Sequence, residues 1–106
     1  MVEPILDALA DETRRRVVEE LGRGPRRPGE LAVALGASPP ALSRHLRVLL
    51  QAGVVADERL AEDARARVFR LRPESLVALR AWLDQLQAHW DEQLGSFKAH
   101  AERRKR

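Results

Sequence analysis

Apolar residues recur at helical spacing in most of this chain, and the positions between them are polar or charged. Ile5, Leu6 and Leu9 share one side of a first predicted helix, Pro4 to Ala10. Asp11 is placed to cap a second, Glu12 to Leu21, whose buried stripe is Val17, Val18 and Leu21 and whose first-turn Glu12 suits the helix dipole. Gly22 to Pro28, GRGPRRP, is a loop by composition. Pro28 to Leu35 then reads as a short helix with Leu31 and Leu35 one turn apart.

The pattern is sharpest from Ser38 to Gly53. Leu42, Leu46 and Leu49 fall on one side of a helical wheel, flanked by His45 and Leu50. Pro40, Arg44, Arg47 and Gln51 fall on the other, with Ser43 at the edge. Ser38 is a good N-cap, Pro39 sits where a helix tolerates proline, and Gly53 is a stop signal. No acidic residue occurs in the stretch. Its apolar rear and small, hydroxylated, cationic front suit the major groove of double-stranded DNA. Gly36-Ala37-Ser38 is a tight turn joining it to the preceding helix, so the pair reads as a helix-turn-helix whose second helix is the reader.

After Gly53 the helical period lapses. Val54-Val55 opens a strand, Ala56 to Arg59 and Arg67 to Leu71 are able to pair, and a small β-hairpin wing is expected. The connection Leu60 to Ala66 lacks glycine, carries Glu62 and Asp63, and has a composition compatible with a helical turn. Its acids would repel phosphate, which leaves Arg65 and Arg67 as the wing's candidate backbone contacts. Helical spacing returns after Pro73, over about Glu74 to Ala99. Leu76, Leu79, Leu83, Leu86, Trp90, Leu94 and Phe97 form a near-heptad seam, which Trp82 widens near its start. The seam runs roughly six turns, farther than a small helical core covers, and predicts a homodimer completed by Ile5, Leu6 and Leu9.

In its motifs the chain resembles the ArsR family of winged-helix repressors. The resemblance rests on Ala8 to Arg15 (ALADETRR), Gly29 to Ala32 (GELA), Ser43 to Leu49 (SRHLRVL), Ala52 to Val55 (AGVV) and Trp82 to Asp84 (WLD), in the family's order and spacing from about residue 5 to 98. It implies a mainly α winged helix-turn-helix with a small β-hairpin and a long C-terminal dimerisation helix. One domain, residues 1–106, is expected, with that helix over 73–99 and a basic tail over 100–106. The implied function is a homodimeric repressor reading an imperfect palindrome. A winged-helix module that binds protein instead would need the fold but not the cation-only face. Ser38, Pro39, Pro40, Ser43, Arg44, His45 and Arg47 are the candidate DNA contacts beside those of the wing. The proline rings are placed for a thymine methyl, and for His45 a structural hydrogen bond competes with a contact to DNA.

Family members that sense a metal commonly hold it on the first helix of the recognition unit or on the long last helix. Glu30 to Leu35 has neither cysteine nor histidine, and the chain has no cysteine at all. On the last helix the family pattern sets an Asp and a His two apart, a second His eleven on, and a His or Glu three beyond. His89 and His100 keep the middle spacing, but Gln87 and Arg103 stand at the outer positions. Asp84, Asp91 and Glu92 do not complete a set; His89 with Glu92 is a lone pair one turn apart. No cofactor and no metal is expected, and no small-molecule effector is evident.

Composition changes the picture little. The 106 residues carry a net charge of +3, but from Thr13 to Leu50 eight arginines face three glutamates, where the motif lies. No apolar run is long enough to span a membrane and the N-terminus is acidic, so a cytoplasmic location is expected. An enzyme is not expected: Ser43 and His45, two apart on a helix, point to different sides, and there is no glycine-rich phosphate loop.

Overall fold

The computed structural model describes residues 2–104, except for the side chains of Ala64 and Arg65. Helices α1 (Glu3–Leu9), α2 (Glu12–Leu21), α3 (Pro28–Leu35) and α4 (Pro39–Gln51) are followed by strands β1 (Val55–Leu60) and β2 (Asp63–Leu71) and by helix α5 (Pro73–Arg104). Local chemistry sets most of these limits. The Asp11 carboxylate accepts from the Arg14 N–H at 3.0 Å, and Ser38 Oγ from the Ala41 N–H at 3.3 Å. Gly36 and Gly53 end α3 and α4 in the left-handed region, at φ 64° and 76°. There the chain folds back so that the Ala37 N–H reaches the Ala32 carbonyl and the Val54 N–H reaches that of Leu49, both at 3.0 Å. The reading helix thus begins and ends on fixed turns.

Ile5 and Ala8 of α1, Val17 and Leu21 of α2, Leu31, Ala32 and Leu35 of α3, and Leu42, Leu46 and Leu49 of α4 close over one core. Val54, Val55 and Phe69 seal it from the hairpin side. The two strands are antiparallel, from Val55 opposite Leu71 to Arg59 opposite Arg67, with a register shift between Arg59 and Leu60. β2 begins at Asp63, so most of the expected connection is strand and its tip is only Ala61 and Glu62. The loop before α3 adds a third piece: Arg26 exchanges both backbone hydrogen bonds with Phe69, at 3.0 and 2.8 Å. The wing is thereby fastened to the helical body as well as to itself.

Helix α5 leaves that body. Ser75 is its only buried residue and Leu79 is packed partly on the core, but every residue from Arg80 to His100 is exposed. The molecule measures 73 × 27 × 21 Å, with a radius of gyration of 19.8 Å against about 13 Å for a compact chain of this length. The helix also runs to Arg104, past the Ala99 expected; the tail's Ala, Glu and Arg are helix formers, and Arg103 and Arg104 suit a helix C-terminus. Two expectations for the dimer face change here. Ile5 is 5% exposed and belongs to the chain's own core, because α1 turns Ile5 and Ala8 inward together and leaves Leu6 outward. Leu9 and Leu79 likewise pack partly against the core.

Candidate nucleic-acid interface

The amphipathic pattern of α4 becomes geometry once its leucines are buried. Leu42, Leu46 and Leu49 point into the core, which leaves Pro39, Pro40, Ser43, Arg44 and Arg47 exposed behind the equally exposed cap, Ser38. Neither Arg44 nor Arg47 has a hydrogen bond or ion pair among the described residues. Two guanidinium groups therefore stand free on a face with no carboxylate of its own. The first positions of α4 offer no spare donor: Pro39 and Pro40 have no N–H, and that of Ala41 is taken by Ser38. What this helix presents at its start is apolar ring and hydroxyl, not an anion cradle.

His45 is turned the other way. Its Nδ1 lies 3.4 Å from Arg14 Nη1 and 3.8 Å from Asp11 Oδ2, with the side chain about one quarter exposed. Arg14 is itself the centre of a joint. Its Nε donates to the Ala8 carbonyl at 2.6 Å and its Nη2 to that of Asp7 at 3.3 Å, while Arg15 Nη1 donates to Leu9 at 2.9 Å. Two neighbouring arginines thus bond the last carbonyls of α1, of which that of Asp7 also accepts from the Ala10 N–H at 3.3 Å. The Arg14 N–H bonded to Asp11 holds that carboxyl below the usual carboxylate range, with His45 and the Arg14 guanidinium adding to the effect against a smaller opposing effect of desolvation. The pattern did not disclose this joint; in it Arg14 and Arg15 counted only toward the motif Ala8 to Arg15 and the basic surplus. The one available signal was Arg14 three residues after a capping aspartate.

The hairpin flanks the reading helix across a cleft of about 200 Å³, lined by Pro28, Ser43, Leu46, Arg47, Leu50, Arg67 and Phe69. Arg67 lies 5.0 Å above the Phe69 ring and donates from Nη2 to Asp57 Oδ2 at 2.8 Å. Arg70 is paired with Glu58. Arg65, the other wing residue expected at the backbone, has a side chain outside the described residues. The structure thus brings Ser38, Pro39, Pro40, Ser43, Arg44 and Arg47 onto one face, sets Arg67 beside it, and turns His45 behind it. Among the described residues no three histidine, aspartate or glutamate side chains gather as metal ligands; on α5, Gln87 donates to Asp91 at 2.9 Å. No helix of the described residues is long and apolar enough to cross a membrane.

Residues 11–57 match the family described as "Bacterial regulatory protein, arsR family". The HTH-type transcriptional regulator Rv2034 of Mycobacterium tuberculosis is 49% identical over 78 residues, which cover 74% of this chain and 70% of that protein. The transcriptional repressor SdpR of Bacillus subtilis is 36% identical over 55 residues, 52% of this chain and 61% of that one. An ArsR-like transcriptional regulator from Rhodococcus sp. RHA1 superimposes with a TM-score of 0.81 at 30% identity, over 92% of this chain and 89% of its own. These similarities cover the helix-turn-helix and, in the structural match, nearly all the rest.

Proposed function

Because this chain belongs to the ArsR family of DNA-binding bacterial transcriptional regulators, and is not an enzyme, we propose that it is a homodimeric repressor that occludes a promoter by binding an imperfect palindrome. The observation that carries the DNA-reading part is the outer face of α4, where Arg44 and Arg47 stand without internal partners beside the small Ser43. Ser43 lets the helix backbone approach the bases. Arg44, nearer the N-terminus, reads a base edge, while Arg47 lies closer to the phosphates. Ser38 and the rings of Pro39 and Pro40 line the entering end, with the rings against a thymine methyl. Arg67 and Arg65 flank the backbone from the wing. His45 serves the joint with Arg14 that sets the angle of α4.

Dimerisation is supported by α5. Leu83, Leu86, Trp90, Leu94 and Phe97 are between 39% and 72% exposed along one seam, an apolar surface that a second copy would cover. Leu6 and Leu76, 37% and 36% exposed, extend it, with Leu9 and Leu79 at its margin. Two reading helices related by a two-fold axis meet successive major grooves, giving half-sites about 10 base pairs apart. The word "repressor" in the name of the Bacillus subtilis relative agrees with action by occlusion. Footprinting on the DNA upstream of the chain's own gene tests the reading. Protection with a dyad is the expected result. Protection lacking any dyad would remove the dimer, and no protection at low salt would leave a winged-helix module with a protein partner.

A further inference from the structure

Two arginines of the wing, Arg67 and Arg70, are held by carboxylates of the opposite strand. Asp57 lies opposite Phe69 in the ladder, so Asp57, Phe69 and Arg67 occupy one face of the hairpin, the face across the cleft from Ser43 and Arg47. On that face the Arg67 guanidinium rests over the Phe69 ring while its Nη2 donates to the Asp57 carboxylate. Glu58 and Arg70 make a second diagonal pair on the opposite face. The contrast with Arg44 and Arg47, which have no such partners, lies within one cleft's width.

We infer that Asp57 tempers the wing's part in DNA binding: its carboxylate occupies Arg67 as a phosphate would, and the wing adds to binding only where the duplex fits closely enough to displace it, less the cost of the broken pair. The inference rests on the DNA-reading role of α4. Both members of the pair are close to half exposed, at 44% and 46%, and an exposed pair of this kind is weak and exchanges readily. A backbone phosphate held in register by α4 is a strong competitor, because placing an arginine on DNA also releases counterions. A loosely docked duplex holds no phosphate at that point, and Asp57 keeps the arginine. The Phe69 ring keeps the guanidinium on the cleft side in either state. Asp57 therefore lowers affinity for the operator by the cost of breaking the pair, and costs non-specific DNA less.

The test compares the unaltered protein with Asp57→Asn, Glu58→Gln, Arg67→Ala and the Asp57→Asn/Arg67→Ala double variant. Each is titrated on the footprinted duplex and on a scrambled one across a salt series, with circular dichroism to confirm that each is folded. Asp57→Asn should bind the footprinted duplex roughly two- to fivefold more tightly at about 0.1 M salt, because the pair no longer has to be broken. Its gain on the scrambled duplex should be smaller, so discrimination rises. Glu58→Gln removes the same charge from the far face and should give only a minor gain, and the double variant should match Arg67→Ala. An equal gain from Glu58→Gln, or one that persists without Arg67, overturns the inference and leaves Asp57 as diffuse charge. So does an unaltered protein that binds DNA while Asp57→Asn behaves identically. If the unaltered protein binds neither duplex at any salt, the DNA-reading role fails and the inference falls with it.

Discussion

The leucines of α4 and those of α5 follow the same helical period and meet opposite fates. Leu42, Leu46 and Leu49 are at most 3% exposed, whereas Leu83, Leu86 and Leu94 are 39% to 57% exposed. A hydrophobic stripe states that a helix needs a partner surface; it does not state whose. In α4 that surface is supplied by α1, α2, α3 and the hairpin within one chain. In α5 nothing supplies it beyond Leu79, which is why the helix stands out from the body and the molecule reaches 73 Å.

The largest effect that would break this comparison is on folding. Leu49→Ala removes a fully buried side chain of the core and should cost about 2–5 kcal/mol in urea unfolding. Leu86→Ala, studied at concentrations low enough to keep the chain monomeric, should change stability by no more than about 0.5 kcal/mol. Equal losses would mean that α5 folds onto the body in solution.

Association should reverse the order. Trp90 is 57% exposed in the single chain and lies mid-seam, so Trp90→Ala should weaken dimerisation by about 2 kcal/mol or more. Leu86→Glu should abolish it at micromolar concentration, since an unpaired charge would be buried in the seam, while the circular dichroism of each body is retained. Analytical ultracentrifugation reads both. An unaltered protein that sediments as a monomer at micromolar concentration would refute the seam.

How much of this was legible in the chain depends on how local the determining chemistry is. The limits of α2 and α3 came out as read, because Asp11, Pro28 and Gly36 act within a turn of themselves. The winged helix-turn-helix was legible for the same reason. Pairings between distant segments were not. Nothing periodic in GRGPRRP announces that Arg26 pairs with Phe69, and nothing in LAEDARA announces a strand, because backbone bonds with a partner strand decide both. The expectation that Ile5 faces a second copy failed on rotation: a helix of 7 residues with apolar side chains on adjacent positions does not specify which one turns inward. At the interface, the free arginines of α4 follow from its lack of acids. The tethering of Arg67 requires knowing the strand register.

A smaller effect separates two residues on the same face. Arg44→Ala should cost roughly 1–3 kcal/mol on the preferred duplex and relax specificity at one position, because a base edge loses its reader. Arg47→Ala should weaken all duplexes alike and lower the salt slope by about one. The two variants are to be titrated on specific and scrambled DNA across a salt series. If Arg44→Ala loses equally on both, Arg44 is a phosphate clamp and the reading position lies elsewhere on α4.

The smallest effect belongs to the joint behind the reading helix and concerns acid. Asp11 has a folded-state pKa below its ordinary value, chiefly because its carboxylate accepts the Arg14 N–H, with His45 and the Arg14 guanidinium contributing less. A carboxyl whose pKa is depressed by folding adds stability that is fully present above its unfolded value, near 4, and is lost as pH falls through the folded value. The direction is thus toward weaker folding in acid only, with no change between neutral pH and about pH 5. Asp11→Ser keeps an oxygen to cap α2 but removes the titrating charge. Urea midpoints at neutral pH should be close for the two proteins, and the drop on moving to pH 3 should be smaller for Asp11→Ser. Since Arg14 also binds the Asp7 and Ala8 carbonyls, Arg14→Ala should lower the midpoint at both pH values, by unfastening α1 as well as the cap's neighbour. An acid drop identical in Asp11→Ser and the unaltered chain would assign the sensitivity to other carboxylates and leave Asp11 as a neutral-acting cap.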